Sequence, residues 1–166
     1  MVLPALLAAC GSTKTVTRTV TVTRTTPLAE ADQRLYGQIR SVTPSPGGYE
    51  ISFDPAWYLS GITANAAEAA DQGVRCEPSA CPPVPNDSIV VDESHREYVY
   101  RLPATAPGTV LVRSPSGFHA LPVTGRQLAR LVDGTSTLEL FEPLSSGVWL
   151  TVHIDTVRSF TQQYVP

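Results

Sequence analysis

Short apolar-rich segments, several with the two-residue period of a β-strand, follow one another along the chain. Segments 35–42 and 49–53 flank the turn-forming stretch 44–48 and therefore predict a hairpin. Five further strands are predicted at 88–91, 97–102, 108–113, 148–152 and 157–160. The last two are expected to close a final hairpin about residues 154–156.

Proline and aromatic residues interrupt this pattern after the second strand. The dipeptide Asp54-Pro55 is expected to end that strand, because proline lacks the N–H group that a strand ladder needs. The apolar residues 56–59 are expected to form a corner that plugs the core, with Trp57 buried in it. The next three predicted strands follow in direct succession, which implies that they pair antiparallel with one another.

Two short helices are predicted among the strands. Residues 64–71 are rich in alanine, with Thr63 as a candidate N-cap and Gly73 as the end. The second helix begins at Thr124, which has capping-box spacing to Gln127. Because the order of elements shows no β-α-β rhythm, we predict an α+β fold of mostly antiparallel β-structure. The expected architecture is a small curved sheet or an OB-like barrel with two short helices.

Composition and charge narrow the class of protein. Fifteen prolines and eleven glycines suit a turn-rich β-protein, and 166 residues allow one ordinary domain. Three of the twelve basic residues precede Pro27, so the remainder carries nine arginines against fifteen carboxylates, a balance of −6. A mildly acidic domain without a basic stripe is a poor partner for nucleic acid, whose phosphates require neutralisation.

The N-terminus resembles the end of an export signal. Residues 1–9 form an uncharged apolar run that finishes in small residues and is too short to span a bilayer. Leu7, Ala8, Ala9 and Cys10 resemble the bacterial lipobox, which implies cleavage before Cys10 and attachment of a lipid with fatty acids such as palmitate to its thiol. No basic residue precedes the run, which a start codon assigned too far downstream would explain. A chance match is the alternative.

Threonine occupies nearly every second position of residues 13–26. Valine, lysine and arginine stand between the threonines, so neither face of an extended chain is apolar enough to demand burial. This favours an extended linker that lifts the domain off the membrane and is a candidate for O-glycosylation, with an edge strand as the alternative. The chain thus divides into a signal peptide (1–9), the lipidated cysteine and linker (10–27) and a single globular domain (28–166).

Once Cys10 is assigned to the anchor, Cys76 and Cys81 remain as an even pair. Outside the cytoplasm such a pair is expected to form a disulfide that closes a small surface loop. Redox motifs favour two intervening residues, whereas four separate these cysteines, and a metal site needs further ligands nearby. The sequence therefore predicts a structural disulfide and no cofactor.

Four short motifs that follow the first predicted hairpin carry a family resemblance: DPAWYLSG at 54–61, VPND at 84–87, IVVDES at 89–94 and QYVP at 163–166. Together they resemble uncharacterised secreted proteins and lipoproteins of actinobacteria, over roughly residues 36–166. A single lysine among twelve basic residues fits the codon usage of such organisms. The resemblance implies a place in the cell envelope and carries no assigned activity.

Histidines and carboxylates are the candidates for catalysis. None of His95, His119 and His153 has a second ligand at the spacing of a zinc site, so solvated side chains are the simpler interpretation. Carboxylates are concentrated in the middle of the domain at Asp54, Glu68, Asp71, Asp87, Asp92 and Glu93. A pair of them about 5–9 Å apart would suit glycoside hydrolysis. An envelope hydrolase therefore remains the alternative function.

A binding function is favoured over catalysis. If Trp57 and Tyr58 are partly exposed, they form an aromatic corner that Asp54 and Asn86 would rim as a small binding patch. We therefore expect a lipoprotein on the outer face of the cell membrane, anchored through Cys10. It would be a non-catalytic module that binds an envelope protein, peptide or glycan, and a purely structural subunit is a further alternative.

Overall fold

Two long strands open the described part of the chain, which comprises residues 31–92 and 96–165 of a computed structural model. The predicted signal peptide, Cys10 and the threonine-rich linker lie outside these residues, as do Glu93 and His95. The described residues form eight strands and two helices: β1 Gln33–Ser45, β2 Gly48–Ser60, α1 Gly61–Asp71, β3 Ser88–Val91, β4 Tyr98–Pro103, β5 Pro107–Ser114, β6 Gly117–Thr124, α2 Gly125–Val132, β7 Val148–His153 and β8 Thr156–Gln162. Short 3₁₀ turns lie at Pro78–Ala80, Pro85–Asp87 and Leu144–Ser146. The predicted α+β class, with mostly antiparallel strands and two helices, is confirmed.

The strands form one curved sheet in the order β3-β2-β1-β7-β8-β5-β6. β4 lies off this path and pairs with both β2 and β8, so the sheet curls into a ring of β1, β2, β4, β8 and β7. Strands β4 and β8 are parallel, and the residue pair that joins them and closes the ring is Arg101 with Thr156. The predicted curved sheet is therefore confirmed, whereas the described strands do not form a true barrel, the OB-like alternative.

The pairing of the central strands differs from the prediction. Among the described residues, β3, β4 and β5 do not pair with one another. β3 lies beside residues 57–60 of β2 and β4 beside residues 48–53 of the same strand. The reason is the length of β2. Its 13 residues provide enough backbone hydrogen-bonding positions for two short strands to pair with it end to end. β5 pairs instead with β6, which the sequence pattern does not predict because Pro122 interrupts it.

The expectation that Asp54-Pro55 ends the second strand is wrong, because β2 continues to Ser60. β4 pairs with β2 only up to Phe53, and β3 pairs with it only from Trp57 onward. Pro55 therefore lies where that flank of β2 faces no described strand. A proline is tolerated at such a position because its missing N–H breaks no ladder hydrogen bond.

The two helices differ in how well their starts are predicted. Helix α1 begins at Gly61 with Ser60 as its N-cap, so the prediction of Thr63 as the cap is wrong. Gly61 has φ +56°, a left-handed conformation that glycine adopts readily. The chain can therefore pass from β2 into α1 without an intervening loop. The capping box of α2 is confirmed, since Thr124 Oγ1 accepts from the Gln127 N–H and Gln127 Oε1 accepts from the Thr124 N–H.

The core lies between the inner face of the sheet and helix α2. Alternate strand residues fill it, and Leu128 of α2 is fully buried among them. The buried apolar set is Ile39, Ile51, Phe53, Leu102, Ala106, Val110, Val112, Val123, Leu128, Leu144, Val148, Leu150, Val152, Val157 and Phe160. Because β1, β2, β7 and β8 all contribute, the core joins both ends of the described chain.

The predicted disulfide between Cys76 and Cys81 is present, with the two Cα atoms 5.3 Å apart. It closes the loop that follows α1, and Cys81 is buried. The next segment is tied to the same helix because the Val84 N–H donates to Asn65 Oδ1 at 2.9 Å. The disulfide thus fixes the connection between α1 and β3.

Candidate binding surface

Asp54 is buried and does not rim the predicted patch. Its side chain is 2% exposed, and its Oδ2 accepts hydrogen bonds from Arg40 Nε at 3.1 Å and Nη2 at 2.6 Å. A buried carboxylate is stable when a cation and hydrogen bonds compensate its charge. The hydrogen bond with Asp54 raises the pKa of Arg40. Asp54 therefore joins β2 to β1, which corrects the binding role expected for it.

Trp57 and Tyr58 point to opposite sides of β2, as successive residues of a strand do. Trp57 is 65% exposed, so the expectation that it fills the core is wrong: β2 has run past the core at this point. Tyr58 is half-buried against Tyr36, with ring centroids 5.1 Å apart. Asn86 has φ +60° in a 3₁₀ turn, a conformation that asparagine tolerates. Because Asp54 is buried and Trp57 and Tyr58 lie on opposite sides of β2, these three residues do not share one exposed surface.

A first group of aromatic rings supports the sheet. Tyr36, Tyr58 and Trp149 contact one another: the ring centroid of Tyr36 lies 5.1 Å from each of the other two, and those of Tyr58 and Trp149 are 6.0 Å apart. The guanidinium of Arg34 lies 4.2 Å from the Trp149 ring centroid. The Tyr36 hydroxyl donates to the Ser146 carbonyl at 3.2 Å. Because the three rings belong to β2, β1 and β7, this group joins those strands.

The buried hydroxyl of Tyr36 makes the stability of the fold sensitive to alkaline pH. Burial, together with Tyr58 and Glu142, raises the pKa of Tyr36 to about 12. In the unfolded chain tyrosine ionises near pH ~10. The contribution of Tyr36 is therefore complete below pH ~10 and is lost as the pH rises toward ~12. We expect the urea midpoint of the wild type to fall more steeply over this range than that of Tyr36→Phe. Parallel curves for the two proteins would contradict the assignment.

A second group of rings is exposed and forms the candidate binding surface. Phe118 of β6, Phe141 of the segment before β7 and Tyr164 after β8 meet as an aromatic triad. Ring centroids are 4.7 Å apart for Phe118 and Phe141, 5.2 Å for Phe118 and Tyr164, and 6.0 Å for Phe141 and Tyr164. Phe118 is 40% exposed and Tyr164 38% exposed. Three distant segments thus bring apolar rings to one place on the surface.

Charged side chains border the aromatic triad. The guanidinium of Arg113 lies 5.6 Å from the Phe141 ring centroid, which is within range of a cation–π contact. Its Nε is 3.5 Å from Glu139 Oε1, and both side chains are exposed. Such a surface ion pair contributes little to stability. Arg113 and Glu139 therefore remain available to a partner at the edge of the triad.

A buried glutamine holds the segment that carries Phe141. Gln162 Oε1 accepts from the Leu111 N–H at 2.8 Å, and Gln162 Nε2 donates to the Glu142 carbonyl at 2.9 Å. The Phe141 N–H donates to the Leu111 carbonyl at 2.8 Å. These bonds fasten the segment that carries Phe141 to β5 and β8.

Within the described residues the two histidines lie apart, whereas Asp54 and Asp92 both lie near Arg40 and raise its pKa. His119 is exposed on β6, while His153 lies on β7 with its Nδ1 3.0 Å from Asp32 Oδ1, and β5 and β8 separate the two strands. Glu68 and Asp71 lie on α1. Across residues 31–92 and 96–165, no group of three His, Cys, Asp or Glu side chains is placed to hold a metal ion.

The aromatic triad has only weak signals in the sequence. Phe118 follows a Ser-Pro-Ser-Gly turn and Phe141 stands between Leu140 and Glu142, so each is a single aromatic residue outside any aromatic pattern. Tyr164 belongs to the terminal QYVP motif, which the sequence resemblance marks without assigning a role. The pairing of β5 with β6, with the segment before β7 and with β8 brings the three rings together.

The chain matches no protein-family profile, no curated protein and no solved structure. In the part of the chain that the structure describes, no helix is long and apolar enough to cross a membrane. The geometry of the aromatic triad and its charged border therefore carries the functional interpretation.

Proposed function

We propose that the protein is a membrane-anchored lipoprotein of the bacterial cell envelope, held by lipid on Cys10 at the outer face of the membrane. Its domain is a non-catalytic binding module. The observation that carries the binding role is the aromatic triad, in which Phe118 and Tyr164 each keep close to two fifths of their surface exposed. The lipobox-like residues before Cys10 support the anchor.

The composition of the surface suits recognition. Aromatic residues and arginine are enriched at the centres of protein interfaces, where a few such side chains supply most of the binding energy. Phe118 and Tyr164 bring large apolar area, and Arg113 adds a cation that stacks on Phe141. The aromatic side chains have few rotatable bonds, and Arg113 already contacts Phe141. Ordering these side chains on binding therefore costs little conformational entropy. A protein or glycan of the envelope is the expected class of partner.

The anchor is tested by lipid labelling in an actinobacterial host. Wild-type protein is expected to incorporate labelled fatty acid and to fractionate with membranes, whereas Cys10→Ser is expected to lose the label and appear in the soluble fraction. The thiol of Cys10 is the acceptor in this scheme, and serine cannot replace it. Failure of the wild type to incorporate label would overturn the anchor.

The binding surface is tested by truncating its exposed rings. We expect Phe118→Ala and Tyr164→Ala each to reduce crosslinking to envelope proteins or retention on purified cell-wall glycan by about tenfold, since interface aromatics contribute about 1.4 kcal/mol or more. Trp57→Ala is the matched control, because Trp57 is an exposed aromatic residue of β2 that lies outside the triad. An equal loss for all three variants would contradict a specific surface.

A further inference from the structure

Strand β6 is one end of the sheet order, and the direction of its backbone groups is fixed by its neighbour β5. The Leu111 N–H donates to Gln162 Oε1 and the Leu111 carbonyl accepts from Phe141. The Arg113 N–H donates to the Glu139 carbonyl. The backbone groups of Leu111 and Arg113 therefore point away from β6.

In an antiparallel pair, residues that stand opposite each other without exchanging hydrogen bonds both point away from the pair. Phe118 stands opposite Arg113, and Ala120 stands opposite Leu111. The N–H and C=O groups of Phe118 and Ala120 consequently point outward from the free side of β6. None of these groups bonds to another residue of the described chain. Pro122 lies two residues beyond Ala120, so its backbone nitrogen also points outward. The missing N–H of Pro122 therefore removes no hydrogen bond to β5.

This edge lacks the usual protection against another strand. Natural sheet edges carry charged side chains, prolines or bulges that block pairing. Residues 117–121 contain no lysine, arginine or carboxylate, and Pro122 blocks only its own position. The Phe118 and Ala120 side chains share the face of the aromatic triad, because residues two apart on a strand point the same way.

We propose that an extended peptide of an envelope partner adds to β6 as a further strand. Its backbone pairs with Phe118 and Ala120, and its apolar side chains, at every second position, pack beside the aromatic triad. This rests on the proposed function and names the partner class. The balance of −6 beyond the linker opposes edge-to-edge pairing of two copies and favours a peptide with positive charge.

The probe is a capped octapeptide of alternating valine and lysine, titrated into the full-length protein. Amide NMR signals of Phe118 and Ala120 are expected to shift, and their hydrogen exchange to slow, as the peptide saturates. A matched peptide with N-methyl groups on the valines, which block one hydrogen-bonding edge, is expected to bind at least about tenfold more weakly.

Ala120→Pro is the matching change on the protein. It removes the outward N–H of Ala120 at a position of the same parity as Pro122, and is expected to weaken peptide binding about tenfold. Ala120→Val keeps the N–H group and is expected to bind as the wild type does. Unfolding midpoints report whether each variant folds, and the N-methylated peptide tests the wild type without any mutation.

Equal binding of the plain and N-methylated peptides, or of folded Ala120→Pro and Ala120→Val, would overturn strand addition. Slow amide exchange at Phe118 and Ala120 without peptide would also overturn strand addition. If this protection rises with protein concentration, a second copy occupies the edge. If it does not, another part of the same chain occupies the edge. If Ala120→Pro leaves binding of envelope proteins intact while Tyr164→Ala abolishes it, strand addition fails and the proposed function stands. If neither variant affects envelope binding, the proposed surface itself fails.

Discussion

Replacing Gly37 with alanine is expected to lower the free energy of unfolding by about 3 kcal/mol. A Cβ atom at this position would lie 2.1 Å from the carbonyl oxygen of Asp54 and 2.7 Å from the Cα of Pro55. Gly37 stands directly opposite Pro55 in the β1–β2 pair. Both obstructing groups are backbone, so no side-chain rotation can relieve the contact. The two long strands would have to separate beside the ion pair between Arg40, which is exposed, and Asp54, which is buried.

Urea unfolding followed by circular dichroism measures this loss. Gly73→Ala is the matched control, because Gly73 has φ +70° and a Cβ atom added to it would meet nothing within 4 Å beyond its chain neighbours. Its cost arises from backbone conformation alone and is expected to be about 1 kcal/mol. An equal loss for the two variants would show that the close approach of β1 and β2 at Gly37 does not affect the free energy of unfolding.

Replacing Gln162 with leucine is expected to cost about 2–5 kcal/mol, since each buried backbone group left without a partner costs about 1–3 kcal/mol. The side chain is 4% exposed, and the substitution would leave the Leu111 N–H and the Glu142 carbonyl without their bonds. Leucine is similar in size, so the loss would arise from hydrogen bonding and not from a cavity.

The same variant is expected to loosen the aromatic triad, because Gln162 fastens the segment that carries Phe141. Hydrogen exchange at Leu111 and Phe141 should therefore accelerate more than exchange in β1 or β2. Gln72→Leu, at an exposed glutamine, is the control and is expected to change stability by less than about 0.5 kcal/mol. Uniform acceleration across all strands would indicate global destabilisation and contradict a local role.

Elements whose side chains alternate between core and solvent are the part of the fold that the sequence predicts well. In β7, Val148, Leu150 and Val152 are buried and the residues between them are not, as the two-residue period requires. The capping box of α2 and the disulfide are also predictable, because each depends on residues a few positions apart. Local chemistry is sufficient in these cases.

Features that depend on partners far along the chain are predicted poorly. Pro55 is compatible with a strand only because β3 and β4 leave a gap beside it, and the sequence contains no sign of that gap. Trp57 has the composition of a core residue and lies beyond the core. The rings of Phe118, Phe141 and Tyr164 meet only after β5, β6, β8 and the segment before β7 have assembled, so no local pattern marks them as a site.

The placement of β1 between β2 and β7 sets the order in which the molecule can fold. Gln33 at the start of β1 pairs with Val152 in β7, and β8 joins β7, β5 and β4 at the far end of the chain. Pairings of such long sequence separation form late and slowly. The sheet therefore cannot be completed until β8 has been synthesised. This delay suits the proposed anchor at Cys10, because a chain that is slow to collapse can be threaded unfolded through an export channel and close its sheet on the far side.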